Sequence, residues 1–144
     1  MPERKLGPEE LRYIALFQSI TGTTVLDCIV DEDFNRIIYI VRPEDMGKAI
    51  GRRGINVKRL SDLLKKNIEI VEHSDNLEDM VKNVFREARI VSINLVERGG
   101  QKTLYVRVPD SDKGKAIGRE GKNLKRARLI LKRFFDIDRI VVTA

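Results

Sequence analysis

The stretch Met46-Gly-Lys-Ala-Ile-Gly-Arg-Arg-Gly-Ile-Asn-Val-Lys-Arg-Leu60 returns 67 residues later as Lys113-Gly-Lys-Ala-Ile-Gly-Arg-Glu-Gly-Lys-Asn-Leu-Lys-Arg-Ala127. Ten of the fifteen positions are identical. A match of that length within 144 residues marks a tandem duplication, so the chain reads as two copies of one unit.

The flanks repeat as well. In the first copy, Pro8-Glu9-Glu10 starts a helix, with proline preset for the first turn and two carboxylates at the positive end of the dipole. Apolar helical spacing runs to Ile20, and Gly22 supplies the stop. Stretches 25–30 and 37–41 are rich in β-branched residues and flank the polar turn Asp31-Glu32-Asp33. Pro43 opens a short helix that runs into Gly51-Arg52-Arg53-Gly54, and Val57, Leu60, Leu63 and Leu64 mark the helix beyond it. A short strand at 68–71 closes the unit.

In the second copy, Asp75 with Glu78 reads as a capping box, and Leu77, Met80, Val81, Val84, Phe85 and Ala88 share one helix face. Strands at 90–96 and 104–108 form a hairpin around Arg98-Gly99-Gly100. After Pro109-Asp110 and the second glycine turn come a helix faced by Leu124, Ala127, Ile130, Leu131 and Phe134 and a strand at 137–142. Each half reads α-β-β-α-α-β. The expected fold is α+β, with domains at 1–73 and 74–144, each a three-stranded sheet covered by helices. With no Pro-, Gly- or Ser-rich linker between them, the domains are expected to pack together.

Two glycines three apart between helices give a corner with φ > 0 and no Cβ, where another backbone can approach closely. The following helix offers unpaired N–H groups to an anion. Arg52, Arg53 and Arg119 sit inside these turns, Lys48 and Lys115 precede them, and Lys58, Arg59, Lys122, Lys125 and Arg126 follow. Neither Gly-x-Gly-x-x-Gly nor Gly-x4-Gly-Lys-Ser/Thr is present, so a mononucleotide pocket does not fit. A sugar-phosphate chain running across the turn does.

Charge points the same way. The formal net charge is +6, yet residues 46–67 carry +6 and residues 113–134 carry +8, leaving −8 for the rest. Positive charge focused into two patches suits a polyanion, nucleic acid first.

Ile-Gly-x-x-Gly between two helices, followed by a strand, resembles the signature of the KH domain, whose Gly-x-x-Gly loop clamps about four nucleotides. The element order looks like the type II variant. Paired copies with Lys48-Ala49-Ile50-Gly51 and Lys115-Ala116-Ile117-Gly118 resemble the tandem KH module of the NusA-like family, and Ala116 to Leu124 is particularly similar. The resemblance covers residues 7–143. It implies single-stranded RNA as the ligand, with single-stranded DNA as a competitor, and a role in transcription termination or antitermination. The chain has no room for the polymerase-binding and S1 domains of bacterial members, so it looks like the short archaeal form. The implied RNA-binding residues are Lys48, Ile50, Gly51, Arg52, Arg53, Gly54, Asn56, Lys58 and Arg59 in the first copy. In the second they are Lys115, Ile117, Gly118, Arg119, Glu120, Gly121, Lys122, Asn123, Lys125 and Arg126. Glu120 stands where the first copy has Arg53 and is expected to weaken phosphate binding at that turn.

Other readings are narrower. Ile50, Ile55 and Ile117 are either the floor of an apolar groove or core residues. Cys28 reads as core, His73 as surface, and Phe134 and Phe135 as packing. Scarce aromatics, 6%, shift expected affinity toward phosphate contacts. A ribosome-assembly or ribosomal RNA-binding role is the alternative within RNA binding. A protein-binding adaptor using acidic faces such as Glu9, Glu10 and Asp31 to Asp33 is another. An enzyme is not expected, because the Asp31-Glu32-Asp33 carboxylates have no accompanying nucleophile or histidine pair. One cysteine and one histidine exclude a disulfide framework and a Cys/His zinc cluster, and no cofactor is expected. No apolar run approaches the roughly 20 residues of a membrane span, and Met1-Pro2-Glu3-Arg4-Lys5 lacks a secretory pattern. A cytoplasmic monomer meeting RNA polymerase or a ribosome-associated complex is the expectation.

Overall fold

The computed structural model describes residues 6–144, so the N-terminal pentapeptide lies outside the described residues. The chain parts into two compact units between Ser74 and Asp75.

In the first unit, α1 (Pro8–Thr21) begins with proline at its first position, and the Gly7 N–H donates to Glu10 Oε2 at 3.1 Å. It ends where Gly22 turns left-handed, φ 70°, and its N–H donates to the Gln18 carbonyl. Strands β1 (Asp27–Asp31), β2 (Arg36–Val41) and β3 (Asn67–Glu72) form a sheet in that order. Central β2 is antiparallel to β1 and parallel to β3. The parallel step needs a crossover, and α2 (Met46–Ile50) and α3 (Ile55–Leu64) supply it. One sheet face, with Cys28, Ile37, Tyr39, Val41, Ile68 and Ile70, packs on Tyr13, Phe17, Ala49 and Leu60. The Phe17 and Tyr39 rings lie 4.2 Å apart, and the Tyr39 hydroxyl donates to the Tyr13 carbonyl at 2.9 Å.

All six residues of β2 are buried, beyond the half-buried alternation of an ordinary two-faced strand. On the face away from this core, fully buried Arg36 donates to Asp31 on β1 at 2.8 Å and to Glu69 on β3 at 3.3 Å. A guanidinium can be buried there because carboxylates from both neighbouring strands meet it.

The second unit repeats the plan: α4 (Leu77–Val84), β4 (Ser92–Arg98), β5 (Gln101–Arg107), α5 (Lys113–Ile117), α6 (Lys122–Phe135) and β6 (Arg139–Thr143). Its sheet runs β4-β5-β6, with β5 antiparallel to β4 and parallel to β6. The two copies thus have the α+β organisation of tandem type II KH domains.

Three local expectations shift. The cap of α4 is Asn76, whose side chain accepts the Asp79 N–H at 3.0 Å; Asp75 precedes it. The helix stops at Val84 and Ala88 lies beyond it; buried Arg126 takes the freed Val84 carbonyl, and the Asp112 carboxylate takes the Arg89 N–H at 2.9 Å. The hairpin strands extend to Arg98 and Gln101 because Gly99 and Gly100, φ 56° and 80°, form a two-residue turn with both residues left-handed. That turn type matches strand twist and lets pairing continue to its edge.

Candidate nucleic-acid interface

Both glycine turns have one backbone. In the first, Gly51 closes α2 by donating to the Gly47 carbonyl at 2.9 Å, and Gly54 N–H donates to the Gly51 carbonyl at 3.0 Å. In the second, Gly118 donates to Gly114 at 2.8 Å, and Gly121 to Gly118 at 3.1 Å. The dihedrals agree: φ 79°, ψ 167° at Gly51 against 78°, 171° at Gly118. Arg53 (56°, 29°) and Glu120 (57°, 22°) match too, although both are left-handed positions that disfavour a Cβ.

The two glycines of each turn do different work. A Cβ on Gly51 would meet Asn56 Nδ2 and Ile55 Cγ2 at 2.9 Å, and one on Gly118 would meet the Asn123 side chain at 2.8 Å. These first glycines let the asparagine fold under the corner. A Cβ on Gly54 or Gly121 would meet nothing within 4 Å, so the second glycines present bare backbone outward.

Asn56 and Asn123, two of the implied RNA-binding residues, turn inward. Their Nδ2 groups donate to the Lys48 and Lys115 carbonyls at 3.0 and 2.8 Å. Each staples the start of the second helix to the last turn of the first. They position the corner; their amide N–H groups are directed at the protein.

Around the first corner, Lys48, Arg52, Arg53, Lys58 and Arg59 are all exposed. Arg52, Arg53, Ile55 and Lys58 line one open hollow of about 580 Å³. Ile55 is 40% exposed in its wall, which places it in the groove, whereas Ile50 is half-buried and packs against the core. In the second copy Lys115, Arg119 and Glu120 are exposed, and Ile117, Lys122 and Lys125 are half-buried. Position 122 is the counterpart of Ile55, so the apolar wall becomes a lysine.

Arg126 departs from its implied role. It is 1% exposed, donates through Nε and Nη2 to the Val84 carbonyl at 3.1 and 2.9 Å, and is ion-paired with Glu87. The equivalent Arg59 is exposed. One repeat position has thus become a tether between α6 and the end of α4 in the second copy and stays a surface cation in the first. Just before α5, Asp112 is held down at about 2 by hydrogen bonds from the Arg89 side chain and backbone. This pair anchors the segment leading into the second corner.

The KH-domain family matches residues 11–99, and the NusA-like second KH domain matches residues 77–143. The probable transcription termination protein NusA of Halococcus morrhuae is 36% identical over 135 residues, covering 94% of this chain and 95% of that protein. The like-named protein of Methanococcus vannielii is 34% identical over 140 residues, 97% of this chain and 80% of that one. The transcription termination/antitermination protein NusA of Halalkalibacterium halodurans is 30% identical over 112 residues, but these make up only 29% of its length. The crystal structure of APE1850 superposes with a TM-score of 0.90 at 50% identity, over 96% of this chain and all of that one. With paired type II units, duplicated glycine corners and full-length relatives in agreement, the chain belongs to the NusA-like family of KH-domain proteins.

Proposed function

We propose that the protein binds single-stranded RNA across its two Gly-x-x-Gly corners and acts in transcription termination. The family is one of RNA-binding proteins, not enzymes. One observation carries the finer reading: in both copies the second glycine faces open space among exposed cations. A phosphate chain can approach that bare backbone, while Lys48, Arg52, Arg53, Lys58 and Arg59 neutralise it in the first domain. Lys115, Arg119, Lys122 and Lys125 do so in the second. Gly51, Gly118, Asn56 and Asn123 hold the corners rather than touch the ligand. Arg126 is structural.

In this reading the domains are residues 1–73 and 74–144, and the first is the stronger site. It has five exposed cations, an apolar wall at Ile55 and no carboxylate in its corner, whereas Glu120 opposes Arg119 in the second. Linking two sites raises the effective concentration at the second, so the whole chain binds far more tightly than either site. Anisotropy titration of a labelled single-stranded RNA at several salt concentrations tests the reading. Affinity falls with salt, each phosphate contact contributing roughly 0.7 to the log-log slope. A flat response overturns phosphate-led binding.

A further inference from the structure

The sheet of the second unit has a face that the glycine corners do not use. Strand register places Asn94, Val96 and Arg98 of β4, Gln101, Thr103, Tyr105 and Arg107 of β5, and Arg139 and Val141 of β6 on one side. The opposite side carries Leu104, Val106 and Ile140, which are buried. Tyr105 stands in the middle of the open face, 41% exposed, with Asn94 and Val141 as its cross-strand partners. Arg98, Arg107 and Arg139 are exposed around it, and none is ion-paired among the described residues. The strand residues on this face include no carboxylate. A hollow of about 290 Å³ opens here, lined by Val96, Arg98, Gln101, Thr103, Tyr105 and Arg139.

We propose that this face is a second single-stranded RNA surface, on which a base stacks against Tyr105 while Arg98, Arg107 and Arg139 hold the flanking phosphates. The charge fits a polyanion, and the hollow is small and floored by the sheet. Its Gln101 and Thr103 side chains supply donors and acceptors for a base edge. An aromatic ring among cations on a strand is a sequence-tolerant platform for an unpaired base. An acidic protein shares the charge complementarity but leaves the ring without a planar partner. The inference rests on the proposed RNA-binding function and adds to it: RNA longer than the corners need has a further surface on this sheet.

The test uses the full chain with labelled oligouridine of two lengths, about 8 and about 24 nucleotides, the shorter matching two clamps of about four. Tyr105→Ala weakens the longer RNA roughly tenfold and leaves the shorter unchanged. Tyr105→Phe keeps the affinity, and Arg98→Ala with Arg139→Ala weakens only the longer RNA. Tyr105→Trp introduces the only tryptophan, since the chain has none, and the fluorescence of this variant is quenched by the longer RNA. Unchanged long-RNA affinity in the alanine variants, with no quenching in Tyr105→Trp, overturns the proposal, as does quenching by polyglutamate but not by RNA. Arg52→Asp with Arg53→Asp weakens both lengths if the corners bind. If that pair weakens both lengths and Tyr105→Ala neither, the sheet proposal fails and the corner reading stands; the converse pattern fails the corners alone.

Discussion

Asn56 reaches back eight residues to the Lys48 carbonyl, its Nδ2 donating at 3.0 Å from beneath Gly51. The carbonyl belongs to the last turn of α2, where no helical N–H follows to take it. The side chain thereby replaces a missing helix bond and fixes the angle at which α3 departs. Asn56→Ala leaves that part-buried acceptor without this donor and is expected to cost about 1–2 kcal/mol. Urea denaturation measures it, and RNA affinity falls alongside because the corner loosens. Asn123→Ala, acting on the Lys115 carbonyl at 2.8 Å, has a similar cost.

The two glycines of a corner separate stability from binding. Gly51→Ala forces a Cβ into φ 79°, ψ 167° and against Asn56 at 2.9 Å, and is expected to destabilise by about 3 kcal/mol. Gly54→Ala meets no atom within 4 Å and suffers only the left-handed penalty, about 1 kcal/mol. Under the proposed corner reading its methyl group projects into the space left for a phosphate chain, so its RNA affinity is expected to fall more than its stability. Thermal melting and anisotropy on the two variants check the contrast.

Arg59 and Arg126 occupy one repeat position in different surroundings. Arg126→Ala strips the Val84 carbonyl of two donors and removes the partner of Glu87, and is expected to cost about 3 kcal/mol. Arg59→Ala is expected to stay within about 0.5 kcal/mol, as exposed substitutions do, while lowering RNA affinity and reducing the salt slope. Chemical denaturation with a salt titration distinguishes the roles.

Acid, compared between wild type and an Asp112 variant, tests the Arg89–Asp112 pair. Because Asp112 titrates at about 2 in the folded protein, below about 3.9 for an unperturbed aspartate, folding favours its ionised form. The stabilisation is present above the unfolded pKa and is lost as pH falls through about 2. Asp112→Asn lacks this contribution. Urea midpoints should therefore show wild type ahead of the variant at neutral pH, with the gap narrowing between about pH 4 and pH 2.

The repeat made the fold legible, because ten shared residues fixed the corner and its flanking helices in both copies at once. What it hid lies in contacts that no spacing encodes. The resemblance implies Asn56 and Asn123 as RNA-binding residues, whereas the left-handed corner brings their side chains under Lys48 and Lys115. Arg126 looks identical to Arg59 along the chain; the difference comes from α4, which ends at Val84 and leaves a carbonyl to be met. The ends of β4 and β5 lay beyond the apolar residues that signal strands, since polar Arg98 and Gln101 pair through the turn. Tyr105 and its arginines alternate along strands, so their shared face emerges only from the cross-strand register.

Binding of a single-stranded RNA by Arg52→Asp/Arg53→Asp, beside Arg119→Asp, is the most direct test of the corner reading. Affinity is expected to drop by a large factor in the double variant and less at Arg119, with circular dichroism unchanged in both. A double variant that binds like wild type, with the same salt slope, would contradict the account.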